Sequence, residues 1–410
     1  MKDCINIGLL GVGTVGSGVL HVLEHNGEEI AKKAGCKIEI KKILVRNPQK
    51  AAELGKKYAV TGDFEDIVND PDIDIIVELI GREHPAKEYI ASALEHGKNV
   101  VTANKDVLAK YGRELFPLAE LHNVDFMFEG AVGGGIPIIR PLKSCLAANR
   151  IKSVMGIVNG TTNYMLTKMS QDHMDYGEVL REAQEKGYAE KDPTADVEGY
   201  DACRKVCILA SLAFGKHVYP NQVETEGITN ITLEDVSYIE NAGGVIKLLG
   251  QIKYINDNEI AAFVSPAVVY NGSQLASVKD VFNAILVRGD AVGDVCFYGP
   301  GAGKLPTASA VVADIIDCAK HSERKKIFGW GAGAEDYVVD YKERIEMPFY
   351  VRAKATPAEI NAKFSDVKFL SRKGQPSDEV AFITDIMTEN KLNKKLDGIN
   401  VINTIKVTNY

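Results

Sequence analysis

Residues 8–16, Gly-Leu-Leu-Gly-Val-Gly-Thr-Val-Gly, decide the fold of this chain. The last six residues match G-x-G-x-x-G, directly after an apolar strand pattern and at the start of a helical one. In that context Gly11 permits a tight turn, Gly13 lets the backbone approach a pyrophosphate, and Gly16 lets the helix pack closely on the strand. The motif therefore predicts a dinucleotide site at a helix N-terminus. A glycine-rich turn without a ligand is the alternative.

Alternating strand and helix patterns extend this motif to a whole domain. Helical stretches at 15–33, 85–96 and 105–121 lie between apolar strand candidates at 4–10, 37–45, 74–80, 98–102 and 124–129. Repeated strand–helix–strand units predict a parallel sheet with helices on both faces. The predicted fold class is therefore α/β, with a Rossmann-type nucleotide-binding domain over residues 1–130.

The pattern changes after residue 130. The later helical patterns lie at 136–147, 162–170, 175–186, 197–214 and 306–319, and the strand patterns at 151–158, 260–270 and 282–288. Thr161 could cap the helix at 162–170. We predict an α+β substrate and dimerisation domain over 131–320, of which 300–320 completes the first domain. A charged connection (321–347) and a small α+β domain (348–410) follow.

Length and composition exclude several classes of protein. The 410 residues suggest two to three domains at roughly 150 residues each. The chain has 48 Lys and Arg against 56 Asp and Glu, a net charge of −8 without a basic run, which argues against nucleic acid as the main partner. No apolar stretch is long enough to span a bilayer, and no signal peptide is evident. The seven scattered cysteines are typical of reduced thiols, so we expect a cytoplasmic protein.

The end of the second predicted strand bears on the choice of nucleotide. Ile43-Leu44-Val45 leads into Arg46, where NAD-binding enzymes often carry an acidic residue for the ribose 2′-hydroxyl. An arginine there instead suits a 2′-phosphate. The sequence therefore favours NADP(H) over NAD(H), and a solvated arginine at a strand end is the alternative.

Two lysines are candidate catalytic residues. Lys105 follows the strand pattern at 98–102, and ligands of open α/β sheets lie beyond the carboxyl ends of the strands. Lys205 lies four residues after Asp201 on a predicted helix, so the two side chains can touch. Apolar neighbours suggest that Lys205 is partly buried, and a partly desolvated lysine can act as a general acid or base. A solvated lysine at a helix start and an exposed ion pair are the alternatives.

The chain resembles homoserine dehydrogenase over about residues 4–320. The segments that carry the resemblance are Gly-Leu-Leu-Gly-Val-Gly-Thr-Val-Gly (8–16), Thr-Ala-Asn-Lys (102–105), Glu-Gly-Ala-Val-Gly-Gly-Gly-Ile-Pro-Ile (129–138), Gly-Ile-Val-Asn-Gly-Thr-Thr-Asn-Tyr (156–164), the block 189–205 and Gly-Pro-Gly-Ala-Gly (299–303) followed by Pro306-Thr307. The resemblance implies a reversible, NAD(P)-dependent interconversion of homoserine and aspartate 4-semialdehyde. That reaction lies on the route to threonine, methionine and isoleucine.

The resemblance also implies roles for individual residues. Lys205 would be the acid/base for the substrate oxygen, and Asp201 would position the substrate amine or a water. Glu190 would bind the substrate ammonium, and Lys105 would hold substrate or cofactor in the crevice. The implied substrate-binding residues are Glu190, Asp196, Gly160, Thr161 and Lys105. The predicted cofactor-binding residues are Gly11, Gly13, Thr14, Val15, Gly16, Arg46, Thr102, Ala103, Lys105 and Gly303.

A sodium ion is a further implication of the resemblance. In the family a monovalent cation lies in the loop that matches 129–136. Glu129 and the carbonyl groups of Val132, Gly134 and Ile136 would be its ligands, and such oxygen donors suit a hard cation. A structural glycine loop without a metal is the alternative.

The tail resembles a shortened ACT domain, a ferredoxin-like ligand sensor. Segments 380–385 and 405–407 resemble its second half, whereas 355–360 is followed by a short connection without the glycine turn of the usual first half. This region would bind a threonine effector or, instead, serve contacts in a homodimer or homotetramer. We expect a monofunctional chain, without an aspartokinase segment.

Two other functions remain open at this point. Another oxidoreductase of the aspartate pathway, such as aspartate-semialdehyde dehydrogenase, needs an activated cysteine. The one candidate, Cys145, lies in an apolar helical pattern that suggests a core position. A non-catalytic nucleotide sensor should lack the set of Lys105, Glu190, Asp201 and Lys205, and all four are present.

Overall fold

The structure is a computed structural model that describes residues 2–320 and 328–408. These residues belong to two compact units. The first unit lies within Met1–Ala148, Cys207–Pro220 and Gly299–Ala334, and the second within Asn149–Val206, Asn221–Tyr298 and Glu335–Tyr410. The division into domains that the sequence suggests, with boundaries near residues 130, 320 and 347, stays a prediction.

Helices and strands are numbered in chain order. The helices are α1 (Thr14–His25), α2 (Gly27–Ala34), α3 (Pro48–Leu54), α4 (Glu65–Val68), α5 (Ala86–Glu95), α6 (Lys105–Leu121), α7 (Gly160–Gln171), α8 (Tyr176–Glu185), α9 (Thr194–Val197), α10 (Tyr200–Phe214), α11 (Leu233–Asn241), α12 (Lys304–Lys320), α13 (Tyr341–Arg344), α14 (Pro357–Lys363) and α15 (Glu389–Leu396). The strands are β1 (Cys4–Leu10), β2 (Lys37–Leu44), β3 (Val60–Thr61), β4 (Ile75–Glu78), β5 (Asn99–Thr102), β6 (Phe126–Met127), β7 (Ile151–Ile157), β8 (Glu224–Thr225), β9 (Gly244–Asn256), β10 (Glu259–Tyr270), β11 (Phe282–Gly289), β12 (Gly293–Pro300), β13 (Glu346–Met347), β14 (Phe349–Lys354), β15 (Val367–Leu370), β16 (Glu379–Thr384), β17 (Met387–Thr388) and β18 (Asn400–Val407). None of the helices in the described part of the chain is long and apolar enough to cross a membrane.

The first unit is built on a six-stranded parallel sheet of order β3-β2-β1-β4-β5-β6. Every residue of β4 is buried, which explains its continuous apolar run. The chain adds β2 and β3 on one side of β1 and then β4, β5 and β6 on the other, so the strand order reverses between β1 and β4. Open α/β sheets bind ligands beyond the carboxyl ends of the strands at such a point. The predicted Rossmann-type fold is thereby confirmed.

Some boundaries in this unit differ from those that the sequence suggests. The helical pattern at 15–33 forms two helices, separated by Asn26 at φ −110° and ψ 12°. The side chain of an asparagine competes with the helix for hydrogen bonds to the backbone, and Gly27 has low helix propensity. The pair therefore interrupts the helix. The strand predicted at 124–129 shortens to β6 and runs into a 3₁₀ turn, Glu129–Ala131.

The helix predicted at 136–147 is shorter in the structure, which is helical over 139–145 and takes a π-helical form at Pro141–Cys145. Pro137 and Pro141 have no backbone N–H to donate, so a continuous α-helix cannot form across them. Cys145, which we expected in the core, is exposed at the end of this turn.

The second unit is built on a mixed, ten-stranded sheet of order β12-β11-β7-β9-β10-β18-β14-β16-β15, with β8 beside β10. Helix α7 packs against β9 and β11. Its cap is Asn159, whose Oδ1 accepts the N–H of Thr162 at 2.8 Å. The predicted cap, Thr161, is wrong, because its hydroxyl instead donates to the carbonyl of Tyr188 at 2.7 Å.

The last strands of the chain extend the same sheet. Strand β18 pairs in parallel with β10, and β14, β16 and β15 continue the order outward. Phe263 of β10 lies in one buried apolar cluster with Phe349 and Phe382. Residues 355–360, which we expected to lead into a short connection, instead begin α14, and β15 follows it. Thr356 and Glu359 make a capping box at the start of α14. An ACT-like domain in this region stays a prediction.

A cluster of buried rings holds the segment after residue 328 in the first unit. Trp330 stacks on Phe116 with ring centroids 4.6 Å apart, and its Nε1–H donates to Nδ1 of His217 at 2.9 Å. Burial lowers the pKa of His217 to about 4, because the charged imidazolium would lose its hydration. The preceding part of the predicted connection, 321–327, lies outside the described residues.

This histidine should make stability depend on pH. Its pKa is lower in the folded than in the unfolded state, so the unfolding free energy should fall as the pH drops from about 6.5 towards 4. In a His217→Gln variant the amide oxygen can still accept the indole N–H but does not titrate. Denaturant unfolding at both ends of this pH range, followed by the fluorescence of the single tryptophan, measures the difference. An unchanged pH dependence in the variant would contradict the prediction.

Candidate active site

The turn between β1 and α1 leaves open space beside its backbone. Gly11 has a φ of +92°, and a Cβ added there would lie 2.9 Å from the carbonyl oxygen of Leu79. A Cβ added to Gly16 would lie 2.3 Å from the carbonyl oxygen of Gly11, so only glycine lets the helix approach the turn this closely. At Gly13 an added Cβ would meet no heavy atom of the described residues within 4 Å. The open space beside Gly13, next to the tight turn at Gly11, forms a cradle that fits a pyrophosphate, as the motif predicts.

The first turn of α1 presents its backbone amides at this cradle. Gly13 is the N-cap residue, and no side chain among residues 2–320 and 328–408 caps the helix. Thr14 and Val15 open a helix of 12 residues, so their amides lie where the helix dipole favours an anion. These amides can therefore bind a phosphate without competition from a capping side chain.

Arg46 lies just after β2, with its guanidinium oriented by a tyrosine. Its Nη2 donates to the hydroxyl of Tyr89 at 2.8 Å, and the ring of Tyr89 stacks on Phe64 with centroids 4.1 Å apart. Nearby, Lys50 donates from Nζ to the carbonyl of Val12, which places a second cation beside the glycine turn. Sequence reasoning missed both Tyr89 and Lys50. No local pattern marks Tyr89, which is 43 residues from Arg46 along the chain.

A buried carboxylate joins the ends of β4 and β5. Glu78 is fully buried and accepts the hydroxyl of Thr102 at 2.7 Å and the N–H of Ile80 at 2.7 Å. The Thr102 oxygen in turn accepts the N–H of Asn104 at 3.0 Å, and Asn104 is the N-cap of α6, whose first residue is Lys105. Burial raises the pKa of Glu78. Sequence reasoning missed Glu78, although an acidic residue at the end of an apolar strand was a signal for it.

Two glycine loops of the first unit approach each other. A Cβ added to Gly134 would lie 2.5 Å from the carbonyl oxygen of Gly301. Gly303, with a φ of +128°, belongs to the same loop as Gly301 and directly precedes α12. Ala103 lies against Gly130, where an added Cβ would be 3.1 Å from the alanine methyl group. Segments that are far apart in the sequence thus meet at these loops.

In the second unit, polar side chains converge at the start of α10. Nζ of Lys205 donates to Oδ2 of Asp201 at 2.7 Å and to the carbonyl of Val158 at 2.6 Å. Nδ2 of Asn159 donates to Oδ2 of Asp201 at 2.9 Å and to Oδ1 of Asp196 at 2.7 Å. The side chains of Lys205 and Asp201 are 12% and 11% exposed. The pair is therefore largely buried, not the exposed surface pair that the sequence left open.

The other predicted substrate residues differ in how close they lie to the cluster around Lys205 and Asp201. Asp196 joins this cluster through Asn159, which sequence reasoning missed as a member although its place before a helix was visible. Gly160 and Thr161 follow Asn159 directly and form the first turn of α7. Glu190 is exposed, and its backbone carbonyl accepts a hydrogen bond from a glutamine of α8 at 3.1 Å. Within the described residues, no hydrogen bond ties the side chain of Glu190 to the cluster.

The carboxylate of Glu129, a predicted sodium ligand, is surrounded by donors. It accepts the backbone N–H groups of Ile138, Ile139 and Arg140 at 2.7, 2.9 and 3.0 Å and Nε of Arg140 at 3.1 Å. Four donors occupy the lone pairs of both oxygens, so this side chain does not fit a cation. No group of three His, Cys, Asp or Glu in the described chain forms a metal cluster.

Comparisons with known proteins identify the family. Two family models match, "Homoserine dehydrogenase, NAD binding domain" over residues 11–129 and "Homoserine dehydrogenase" over residues 137–316. The homoserine dehydrogenase of Bacillus subtilis is 45% identical over 318 residues, which are 77% of this chain and 73% of that protein. The match confirms the resemblance that the sequence motifs indicated.

Solved structures agree with this assignment. The crystal structure of a homoserine dehydrogenase from Thiobacillus denitrificans superposes with a TM-score of 0.90 at 39% identity, over 99% of this chain and 98% of that one. A hyperthermophilic archaeal homoserine dehydrogenase in complex with NADPH has a TM-score of 0.65 at 28% identity, over 78% of this chain and 99% of that one. These findings do not favour the other oxidoreductase or the nucleotide sensor. The chain belongs to the homoserine dehydrogenase family of oxidoreductases and carries the nucleotide-binding domain of that family.

Proposed function

We propose that this homoserine dehydrogenase interconverts L-homoserine and L-aspartate 4-semialdehyde, with NADP(H) preferred over NAD(H) and Lys205 as the acid/base. The observation that carries the proposal is the largely buried pair of Lys205 and Asp201 at the start of α10. The reaction would belong to threonine, methionine and isoleucine biosynthesis. In a chain whose seven cysteines are all free, a cytoplasmic location is the consistent choice.

Lys205 is held in a geometry that suits proton transfer. An ammonium group has three N–H donors, and two of them point to Asp201 and the carbonyl of Val158. The third position on Nζ is the one that would face the substrate oxygen. In homoserine oxidation, the substrate hydroxyl would give its proton to neutral Lys205 as the C–H bond of the carbon that carries this hydroxyl breaks. A bound nicotinamide supplies the hydride acceptor. In the reverse direction, protonated Lys205 would return a proton to the carbonyl oxygen of the semialdehyde.

The acidic groups around Lys205 suit the amino end of the substrate. Asp201 orients Lys205, and Asp196 lies one hydrogen-bonded step away, through Asn159. Together with exposed Glu190, these carboxylates offer negative charge to the substrate ammonium. Gly160 and Thr161, in the first turn of α7, would present backbone amides to the substrate carboxylate.

Lys105 lies directly beyond the carboxyl end of β5, where open α/β sheets bind their ligands. It is the first residue of α6, where a cation opposes the helix dipole at a cost of about 0.3–1 kcal/mol. An anion bound beside it, either the substrate carboxylate or a cofactor phosphate, would reverse that cost. This supports its proposed role in the crevice.

The choice of nucleotide rests on Arg46. A guanidinium that Tyr89 orients, with Lys50 beside the glycine turn, offers two cations to a 2′-phosphate. A relative that is described in complex with NADPH is consistent with this choice. Sodium at the backbone carbonyls of Val132, Gly134 and Ile136, a homodimer or homotetramer, and a threonine effector complete the proposal.

The test is homoserine-dependent reduction of NADP and of NAD, followed by the absorbance of reduced nicotinamide. We expect turnover with a lower KM for NADP. Arg46→Asp should raise that KM by on the order of 10- to 100-fold, because a charge-assisted contact is lost and a repulsive charge added. NAD should be affected much less.

Lys33→Asp, the same charge change at an exposed lysine of α2, is the control and should leave the cofactor ratio unchanged. If the ratio is also unchanged in Arg46→Asp, the 2′-phosphate contact lies elsewhere. Adding L-threonine to the same assay tests the effector: inhibition supports it, and an unaltered rate contradicts it.

A further inference from the structure

We propose that Glu78 is a positioning residue, which holds the start of α6, and thereby Lys105, through the Thr102 hydroxyl and the Asn104 backbone. This inference rests on the proposed role of Lys105 and adds a residue that acts through it. The three groups lie in the first unit, at the carboxyl ends of β4 and β5, where the fold places ligands.

The hydrogen bonds from the Asn104 backbone to Thr102 and from Thr102 to Glu78 all point toward the carboxylate. A threonine hydroxyl has a single hydrogen, and that of Thr102 points to Oε2 of Glu78 at 2.7 Å. The hydroxyl oxygen is therefore left to accept, and it takes the N–H of Asn104 at 3.0 Å. Because the carboxylate acts only as an acceptor when ionised, it determines the orientation of the hydroxyl and thus the acceptor for Asn104.

Asn104 transmits this constraint to Lys105. Its Oδ1 accepts the N–H of Val107 at 3.2 Å and its Nδ2 donates to the carbonyl of Arg82 at 2.9 Å. The residue before Lys105 is thus held on its backbone by Thr102 and on its side chain by two further groups. Because Lys105 directly follows this N-cap residue, the cap also fixes the backbone direction at Lys105.

Glu78 also borders the nucleotide turn. The next residue, Leu79, donates its N–H to the carbonyl of Leu10 at 2.9 Å, and its own carbonyl oxygen lies 2.9 Å from the position of a Cβ added to Gly11. The same short segment therefore contacts both the glycine turn and, through Glu78, the start of α6. A buried carboxylate is costly unless its hydrogen bonds are satisfied, and an apolar residue could close the sheet at less cost. The positioning of α6 gives this carboxylate a function.

A merely structural role would stabilise the fold without acting through Lys105, and a double-mutant cycle separates the two. Thr102→Val removes the hydroxyl at nearly constant volume and should lower kcat/KM by on the order of 10-fold, since small misplacements of a catalytic group are expensive. In a Lys105→Ala background the same change should have almost no further effect. Thr102→Ser, which keeps the hydroxyl, should restore most of the activity.

Thr384→Val is the matched control. Thr384 is also buried, donates to the carbonyl of Asp385 at 2.7 Å and accepts the N–H of Phe349 at 3.0 Å, but it lies in the second unit on β16. It should cost stability in thermal melts and leave kcat/KM unchanged. Equal losses from Thr102→Val in both backgrounds, or no loss in either, would overturn the positioning role of Glu78. Full activity of Lys105→Ala alone would instead overturn the role of Lys105 on which the inference rests.

Discussion

Lys205→Ala should lower kcat by roughly 10²- to 10⁴-fold, the usual contribution of general acid–base catalysis. The lysine nitrogen lies 2.7 Å from Oδ2 of Asp201 and 2.6 Å from the carbonyl of Val158, and alanine has no polar group to take its place. Initial rates at saturating homoserine and NADP give kcat. The binding of NADPH, followed by its fluorescence, should be retained, because the glycine turn belongs to the other unit.

A stability control is needed because Lys205 pairs with a largely buried carboxylate. Asp201 loses the Lys205 cation in the variant, so thermal melts should accompany the rates. Lys205→Met keeps the aliphatic part of the side chain and should lose activity equally. Lys168→Ala removes a lysine from another i,i+4 pair, with Asp172 at 2.6 Å on α7, and should remain active. Near-normal turnover of folded Lys205→Ala would refute the acid/base assignment.

The second large effect concerns stability. Arg352 of β14 is 6% exposed at its side chain and pairs with Asp235 at 3.0 Å and with Glu379 at 3.8 Å. Arg352→Met would leave both buried carboxylates without this cation, and the expected loss is about 3–5 kcal/mol of unfolding free energy. Denaturant unfolding measures it. The pairs connect the last strands of the chain to α11, so the loss should affect the second unit as a whole.

Arg344→Met is the control for this substitution. Arg344 pairs with Glu259 at 2.6 Å, but the two side chains are 43% and 29% exposed. Solvent screens such a pair, and its removal should cost less than about 1 kcal/mol. Equally small losses in both variants would contradict the predicted contribution of the buried pairs. A separate early transition in Arg352→Met would instead show that residues 348–410 unfold independently of the rest of the second unit. That result would favour a distinct ACT-like domain.

Local signals explain which parts of the structure could be predicted. The G-x-G-x-x-G motif, the alternating strands and helices, and the i,i+4 spacing of Asp201 and Lys205 each act within one element or its neighbour. The structure confirms the parallel sheet and the contact between Asp201 and Lys205. The capping box at Thr356 was equally local and could have predicted α14.

Other features depend on partners that are distant in the chain. Thr161 and Asn159 are both acceptable caps by residue type, and packing against Tyr188, 27 residues away, engages the Thr161 hydroxyl elsewhere. Glu78 meets Thr102 across 24 residues, because parallel strands place both at one edge of the sheet. The donors around Glu129 likewise follow from the turn that ends at Arg140, and they exclude its carboxylate as a sodium ligand.

By itself the sequence determined the fold class and the family and singled out the lysines to which we assign the chemistry, because glycine turns, hydrophobic periodicity and short motifs act over a few residues. Only the tertiary structure decided which groups surround those lysines. Long-range packing brought Asn159 and Asp196 to Asp201, Tyr89 to Arg46 and Glu78 to the start of α6. Hydrogen bonds between distant segments have no periodic trace in a single sequence, since they form only when the tertiary fold brings those segments together.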